Sequence, residues 1–135
     1  MIRKLYPYGK KKVFNVTYDD GVLQDIRFVK LLNRYQIKGT FNLNSQLLED
    51  EFQWTHESGC VVKRLKANEV RMLYQGHEIA SHTLTHPNME NLTRKEIMNE
   101  LAQVKTTLEV IPLFHRTIII SGVLPFFIVT IDLKV

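Results

Sequence analysis

The order of the predicted elements in the first third of the chain is the feature that most constrains its fold. Residues 13–18 predict a short strand that ends in an Asp-Asp-Gly turn at residues 19–21. A helix is predicted over residues 24–36, because apolar side chains recur there at helical spacing: Phe28, Leu31, Leu32 and Tyr35. Residues 40–43 predict a second strand. Strand, helix and strand in this order indicate an α/β fold with a parallel sheet.

The middle of the chain continues the alternation of helices and strands. Residues 44–67 mix charged residues with Gly and Ser and are predicted to form a long surface connection. A short helix follows over residues 68–75, with Asn68 as its cap, and it ends at a glycine. Residues 78–80 predict a third strand that runs directly into His82.

The last third contains one clear helix and one apolar segment. The pair Thr93 and Glu96 forms a capping box, which opens a helix to about residue 109. The buried stripe of this helix is predicted to be Ile97, Leu101, Val104 and Leu108. Residues 117–131 carry no charge, but the run is shorter than the roughly 20 residues of a membrane span and contains Gly and Pro. We therefore predict two buried strands around a turn, and no membrane span.

The composition fits one soluble globular domain over residues 1–135, with 44% hydrophobic and 24% charged residues. The length of 135 residues falls short of the roughly 200 that a complete α/β barrel needs. Cys60 is the only cysteine, so no internal disulfide is expected, and a buried or half-buried thiol is the expected state. No long apolar run follows Met1, which predicts either a cytoplasmic location or a leader that lies outside this chain.

The positive charge of the chain is concentrated at its beginning. Residues 1–12 contain five basic and no acidic residues, so they are predicted to be a solvated basic arm. The rest of a chain whose net charge is +4 is therefore slightly acidic. No nucleic-acid-binding motif accompanies the arm, so nucleic acid is not predicted as a partner. Binding of phosphate or of an anionic glycan by the arm stays open as an alternative.

Two short segments contain the residues best suited to chemistry. His82 and His86 are four residues apart, and they could bind one metal ion if the segment made a helical turn. Thr83 stands where the zinc-protease helix motif has its glutamate, which excludes that motif. Of Asp19 and Asp20, one carboxylate could complete the ligand set and the other accept a proton. The alternative is an Asp-Asp-Gly turn that only caps the following helix.

Together these segments resemble the polysaccharide deacetylases, the NodB-homology group of carbohydrate esterase family 4. Residues 17–21 (TYDDG) are similar to the first signature of that family, and residues 76–87 (GHEIASHTLTHP) to its second. Residues 38–42 (KGTFN) resemble the strand between them, and the resemblance extends over about residues 12–109. It implies a distorted (β/α) barrel, of which this chain would hold the N-terminal half to two-thirds.

The resemblance also implies roles for individual residues. Asp19 would be the general base, and Asp20, His82 and His86 would be ligands of a divalent metal, most often zinc, with cobalt or another ion as alternatives. The implied reaction removes N- or O-linked acetyl groups from a carbohydrate, as metal-bound water attacks the acetyl carbonyl. The substrate-binding residues are not identified. Trp54 and His56 could stack on or line a sugar subsite, or simply pack within the long connection.

The sequence departs from the family pattern after residue 109. The third signature of the family is an Arg-x-Pro-Tyr segment, and its nearest counterpart, residues 122–126, keeps a proline and an aromatic residue but lacks the arginine. The later Leu-x-His segment, which provides a general acid, has no counterpart before Val135. Residues 110–135 are thus predicted to be a divergent apolar tail. The alternative function is a catalytically inactive metal-binding remnant. Open strand edges would also favour a homo-oligomer.

Overall fold

The computed structural model of the protein describes residues 14–48, 53–109, 114–121 and 128–132. The strands are β1 (Thr17–Asp19), β2 (Thr40–Leu43), β3 (Gln53–Thr55), β4 (Val61–Lys63), β5 (Glu78–Ser81), β6 (Phe114–Ser121) and β7 (Ile128–Asp132). The helices are α1 (Asp25–Arg34), α2 (Ala67–Leu73) and α3 (Arg94–Glu109), with 3-10 turns at Ser45–Leu48 and Met89–Asn91. The predicted basic arm and residues 122–126 lie outside the described residues.

Five strands form one sheet in the order β1-β2-β5-β6-β7. The first four are parallel, with Thr17 opposite Thr40 and Asn42 opposite Ala80, and β7 is antiparallel to β6. The predicted βαβ unit and parallel sheet are therefore confirmed. Both strands predicted in the apolar segment are present, whereas the turn between them falls outside the described residues. Since parallel strands end at the same edge of a sheet, the segments after β1, β2 and β5 meet there.

The predicted surface connection at residues 44–67 is wrong in part. It contains a 3-10 turn and a two-stranded antiparallel hairpin, β3 and β4, in which Trp54 is opposite Val62. Three-residue strands are too short to show an alternating pattern in the sequence. Cys60, at the hairpin turn, is exposed rather than buried.

The face that helix α1 buries overlaps the predicted one only in part: Leu32 is buried as predicted and Phe28 packs partly buried against the core. Asp25, Val29 and Leu32 are buried, whereas 49% of Leu31 and 62% of Tyr35 is exposed. Both the predicted and the observed set contain residues at spacing i, i+4 and i+7. The observed set was not recognised because its first residue, Asp25, is charged. Asp25 is buried because its carboxylate accepts hydrogen bonds from the Tyr74 hydroxyl and from the backbone N–H of Val22.

The two later helices differ in how well the sequence predicted their start. The capping box of α3 is present, since the Glu96 carboxylate accepts a bond from the Thr93 N–H at 2.7 Å. In α2 the N-cap is Lys66 rather than Asn68, and the Glu69 carboxylate accepts from the Lys66 N–H at 2.9 Å. No helix within the described part of the chain is long and apolar enough to cross a lipid bilayer.

The hydrophobic core lies between the sheet and the helices. Its centre is Phe41 of β2, whose ring stacks on Tyr74 with centroids 4.3 Å apart. The core comprises Val29, Leu32, Phe41, Leu43, Leu48, Leu65, Val70, Tyr74, Ile79, Leu84, Val104 and Leu108. This core fixes the positions of the strand ends, which carry the polar residues of the candidate site.

Candidate metal centre

The turn after β1 is tightly constrained. The backbone N–H of Asp20 donates to the carbonyl of Asn42 at 2.9 Å, and both Asp20 and Gly21 have positive φ, 84° and 63°. A Cβ atom at Gly21 would lie 2.8 Å from Cδ2 of Leu43, so both the conformation and the space require glycine. The turn thus holds the Asp20 side chain beside the end of β2.

The segment after β5 is a bend and not the helical turn on which the histidine spacing relied. The His82 N–H donates to the Leu43 carbonyl at 3.0 Å, which continues the pairing with β2. Thr83 and His86 then adopt positive φ of 71° and 57°. Such conformations cost about 1–3 kcal/mol each in non-glycine residues and cluster at functional sites. Tertiary contacts must therefore stabilise this bend.

Glu100 of α3 supplies several of those contacts. Its carboxylate accepts hydrogen bonds from the backbone N–H groups of Leu84 (2.8 Å) and Thr85 (3.0 Å) and from the Thr85 hydroxyl (2.7 Å). In addition, the His86 N–H donates to the Thr83 hydroxyl at 3.2 Å. Glu100 was not predicted, because a single glutamate on a polar helix face gives no sequence signal.

Asp20, His82 and His86 come together at this edge of the sheet. Their ligand-capable atoms all lie within 4.8 Å of one another. The Asp20 Oδ1 atom is 3.9 Å from His82 Nε2 and 3.5 Å from His86 Nε2. His82 is buried, whereas the His86 side chain is 52% exposed, so the cluster opens to solvent on one side.

The chemistry of this cluster suits a divalent cation. Asp20 Oδ1 is buried, pairs with the Arg64 guanidinium at 3.3 Å, and faces two imidazole nitrogens. Burial lowers the pKa of His82 and outweighs the opposing effect of Asp19 and Asp20. The neutral ring, which is the form that binds metals, is thereby favoured. Two histidines and one aspartate that leave one side open form a donor set typical of zinc and similar ions.

Asp19 lies next to the cluster and is held by β2. The Asn42 Nδ2 group donates to Asp19 Oδ1 at 2.6 Å and to the Thr17 hydroxyl at 2.8 Å. Asp19 itself is exposed at the end of β1. The arrangement places an oriented carboxylate beside a set of metal-ligand candidates. The sequence prediction did not include Asn42.

Arg64 and Asn44 complete the polar surroundings, and neither was predicted. Arg64 Nη1 lies 3.3 Å from Asp20 Oδ1, donates to the Asp20 backbone carbonyl, and donates to Asn44 Oδ1 at 2.9 Å. Asn44 Nδ2 in turn donates to the carbonyl of His82. Both residues fall in the segment that was predicted to be a surface connection, where the sequence shows no signal for burial.

Comparison with known proteins identifies the family. The sequence model of the family "Polysaccharide deacetylase" matches residues 7–117. The chain belongs to the polysaccharide deacetylase family. A chitin deacetylase from a Pestalotiopsis species is 31% identical over 96 residues, which are 70% of this chain and 28% of that protein. A peptidoglycan-N-acetylglucosamine deacetylase from Bacillus cereus is 32% identical over 106 residues, 76% of this chain and 32% of that protein.

Solved structures of polysaccharide deacetylases show the same fold. The Streptococcus pyogenes deacetylase PplD, in complex with acetate, superposes with a TM-score of 0.60 at 24% identity, over 74% of this chain and 41% of that one. The Bc1960 peptidoglycan N-acetylglucosamine deacetylase gives 0.54 at 21% identity, over 78% and 43%. The chain thus adopts part of the (β/α) barrel of the family, as predicted. It spans about a third of the curated relatives' length and about two-fifths of these structures.

A cleft adjoins the candidate deacetylase site. It has a volume of about 480 Å³ and lies between the end of β1 and the β3–β4 hairpin. Tyr18, Asp19 and Asp20 line one side, and Trp54 and His56 line the other. The two residues singled out as candidates for a sugar subsite therefore lie on the site side of the hairpin, although Trp54 also packs within the fold, over Arg64.

Proposed function

We propose that this chain carries the metal-binding and base-bearing part of a deacetylase that hydrolyses N- or O-linked acetyl groups on a carbohydrate. The observation that carries the proposal is the convergence of Asp20, His82 and His86, whose ligand-capable atoms all lie within 4.8 Å of one another. Membership of the polysaccharide deacetylase family supplies the substrate class, an acetylated sugar polymer.

In this proposal Asp20, His82 and His86 hold the ion, most readily zinc, with cobalt or another divalent ion as alternatives. When bound, such an ion supplies Lewis-acid polarisation of a carbonyl and lowers the pKa of water towards about 7. Deep burial of His82 favours its neutral form. The exposed side of His86 leaves an approach for substrate.

Asp19 is the proposed general base. In this role, an oxygen of the Asp19 carboxylate accepts a proton from the attacking water. The Asn42 side chain orients this carboxylate by a hydrogen bond of 2.6 Å to Oδ1. Because the Asp19 side chain is already oriented, little conformational entropy is lost when the proton is transferred.

The cleft beside Asp19 is the proposed position of the sugar. Its volume of about 480 Å³ falls in the range of roughly 300–1,000 Å³ that is usual for small-molecule sites. Tyr18 and Trp54 provide aromatic surface, and His56 and Ser58 provide polar groups at the hairpin side. An acetyl group that enters from this cleft reaches Asp19 and Asp20 together.

The second candidate function is a catalytically inactive metal-binding remnant. It is favoured by residues 122–126, which lack the arginine of the third family signature. Both candidate functions use the same metal ligands, so metal binding does not distinguish them. Hydrolysis of an acetylated substrate distinguishes them, because only the enzyme would catalyse it.

The test combines a zinc titration of the metal-stripped chain with an assay of acetate released from acetylated oligosaccharides. We expect one zinc ion per chain, with affinity lost by much more than tenfold in His82→Ala and His86→Ala. His56→Ala removes an exposed histidine outside the cluster and should bind zinc normally. Asp19→Ala should keep the metal and lose turnover. Full turnover in Asp19→Ala would exclude it as the base, and zinc binding without any turnover in the unsubstituted chain would favour the remnant.

A further inference from the structure

Arg64 is a buried arginine at the centre of the candidate site. Only 4% of its side chain is exposed, and the Trp54 ring covers its guanidinium group, with Cζ 5.3 Å from the ring centroid. Buried arginines are rare unless they are paired, because removing a charge from water is unfavourable. The partners of Arg64 therefore indicate its role in the site.

The backbone on both sides of Arg64 is fixed to the turn after β1. The Leu65 N–H donates to the Gly21 carbonyl at 2.9 Å, and the Leu23 N–H donates to the Lys63 carbonyl at 2.8 Å. Arg64 also forms an isolated antiparallel bridge with Val22. The hairpin strand β4 thus ends directly on the turn that carries Asp20, and Arg64 cannot move independently of it.

The side chain of Arg64 joins the two segments that carry the ligand candidates. On one side, Nη1 lies 3.3 Å from Asp20 Oδ1 and donates to the Asp20 carbonyl. On the other, Nη1 donates to Asn44 Oδ1 at 2.9 Å, and Asn44 donates to the His82 carbonyl. Asp20 and the residue after His82 both adopt left-handed backbone conformations. Such conformations persist only where surrounding contacts hold them.

We propose that Arg64 is a positioning residue that, together with Asn44, holds Asp20 and His82 in the geometry that binds the metal. This role rests on the metal site of the proposed function. It is assigned to the residue that directly follows β4, outside the segments that resemble the family signatures. Arg64 acts on the ligands and not on the substrate.

Two physical effects of Arg64 on the metal act in opposite directions. Its positive charge repels a cation, so losing the charge would strengthen metal binding. Its fixed hydrogen bonds pre-organise the ligands, so losing them would weaken metal binding, by the roughly 10- to 100-fold that is typical of partners behind the ligands. The geometry favours the second effect, because the same guanidinium nitrogen contacts Asp20 directly and the His82 segment through Asn44.

Two substitutions separate these effects. Arg64→Lys keeps the charge but loses the planar group with several donors, and Arg64→Gln loses the charge as well. We expect about 10- to 100-fold weaker zinc binding in both variants, measured by calorimetry on metal-stripped protein. Arg71→Lys and Arg71→Gln, at an exposed arginine of α2, are the matched controls and should bind zinc like the unsubstituted chain.

The visible absorption spectrum of the cobalt-loaded protein provides a second readout, since it reports ligand geometry independently of affinity and turnover. We expect an altered spectrum in Arg64→Lys and an unchanged one in the Arg71 variants. Zinc binding by Arg64→Gln that is as tight as normal or tighter would overturn the proposal, because charge would then dominate. If circular dichroism shows that Arg64→Gln is unfolded, Arg64→Lys decides: normal affinity with a normal cobalt spectrum excludes a positioning role.

Asn44→Ala tests the connection to His82. If Arg64 acts through Asn44, the double variant Arg64→Lys with Asn44→Ala should lose less affinity than the two single losses combined. Additive losses would exclude the connection. Failure of the unsubstituted chain to bind zinc is a different result, since it would refute the metal site itself before any question about Arg64 arises.

Discussion

The two faces of strand β2 differ completely in character. Phe41 and Leu43 point into the core, where both are almost fully buried and Phe41 stacks on Tyr74. Asn42 and the residue after the strand, Asn44, alternate with them and hold Asp19 and the His82 segment by hydrogen bonds. Because successive side chains of a strand point to opposite faces, four consecutive residues serve both the core and the candidate site.

Stability and chemistry can therefore depend on different faces of one strand. Apolar contacts depend on buried area and volume, so their loss should lower the free energy of unfolding. The asparagine contacts depend on direction, so their loss should change the position of functional groups at little cost in stability. Substitutions on the two faces should therefore affect different measurements.

The largest expected effect lies on the apolar face. Phe41→Ala should lower the free energy of unfolding by about 3–5 kcal/mol, because a stacked, fully buried ring is replaced by a cavity. Urea unfolding followed by circular dichroism measures this. Leu31→Ala, at a half-exposed position of α1, is the control and should cost less than about 1.5 kcal/mol. Similar losses in both variants would contradict the assigned core.

Asp25 is the polar exception on the core side, and it predicts a dependence on pH. Burial raises its pKa from 3.8 to about 6. A folded-state pKa above the unfolded value means that stability is fully present near pH 4 and is lost as the pH rises through about 6. The shift of about two units corresponds to at most about 3 kcal/mol between pH 4 and pH 7.

Asp25→Asn removes this ionisation and can still accept the hydrogen bonds of Tyr74 and Val22. The stability of the variant relative to the unsubstituted chain should therefore increase between pH 4 and pH 7, as measured by urea unfolding at several pH values. Glu57→Gln, which removes an exposed carboxylate from the hairpin turn, controls for the change in net charge. Parallel pH profiles of Asp25→Asn and the unsubstituted chain would show that Asp25 is not shifted.

Gly21 packs against Leu43 of the apolar face and lies between Asp20 and the buried Val22. Gly21→Ala should cost about 2–3 kcal/mol, because its φ is +63° and the new Cβ would lie 2.8 Å from Leu43. Gly59→Ala is a matched control with φ of +80° and no atom within 4 Å, so only the backbone strain of about 1 kcal/mol applies. Equal costs in thermal unfolding would mean that the contact with Leu43 is unimportant.

The smallest effect on stability is expected on the polar face. Asn42→Leu should change the free energy of unfolding by less than about 1 kcal/mol, because it replaces a buried amide whose oxygen lacks a described partner by an apolar group of similar size. The proposed base Asp19 loses its bond from Asn42, so turnover should fall about 10- to 100-fold with zinc affinity retained. A large loss of stability with normal turnover would contradict the proposal that the polar face of β2 positions functional groups and contributes little to stability.

Features that depend on residues close together in the chain could be predicted from the sequence. Residues 40–43 were predicted as a strand and form one, and the Thr93–Glu96 capping box opens α3 as expected. The order of strand, helix and strand was sufficient to predict the parallel sheet. The Asp-Asp-Gly and His-x-x-x-His segments indicated the family, because each lies within a few residues of sequence.

The residues that complete the site come from distant parts of the chain and could not be predicted in this way. Arg64 contacts Asp20 across 44 residues and Asn44 across 20, and Glu100 reaches the bend after His82 from α3. Similarly, the face that α1 buries depends on Tyr74, which gives Asp25 a buried partner. Local patterns report the periodicity of one element, whereas these contacts depend on how separate elements pack. The left-handed backbone at Thr83 and His86 likewise depends on distant residues, since Glu100 of α3 binds the N–H groups of the bend between them.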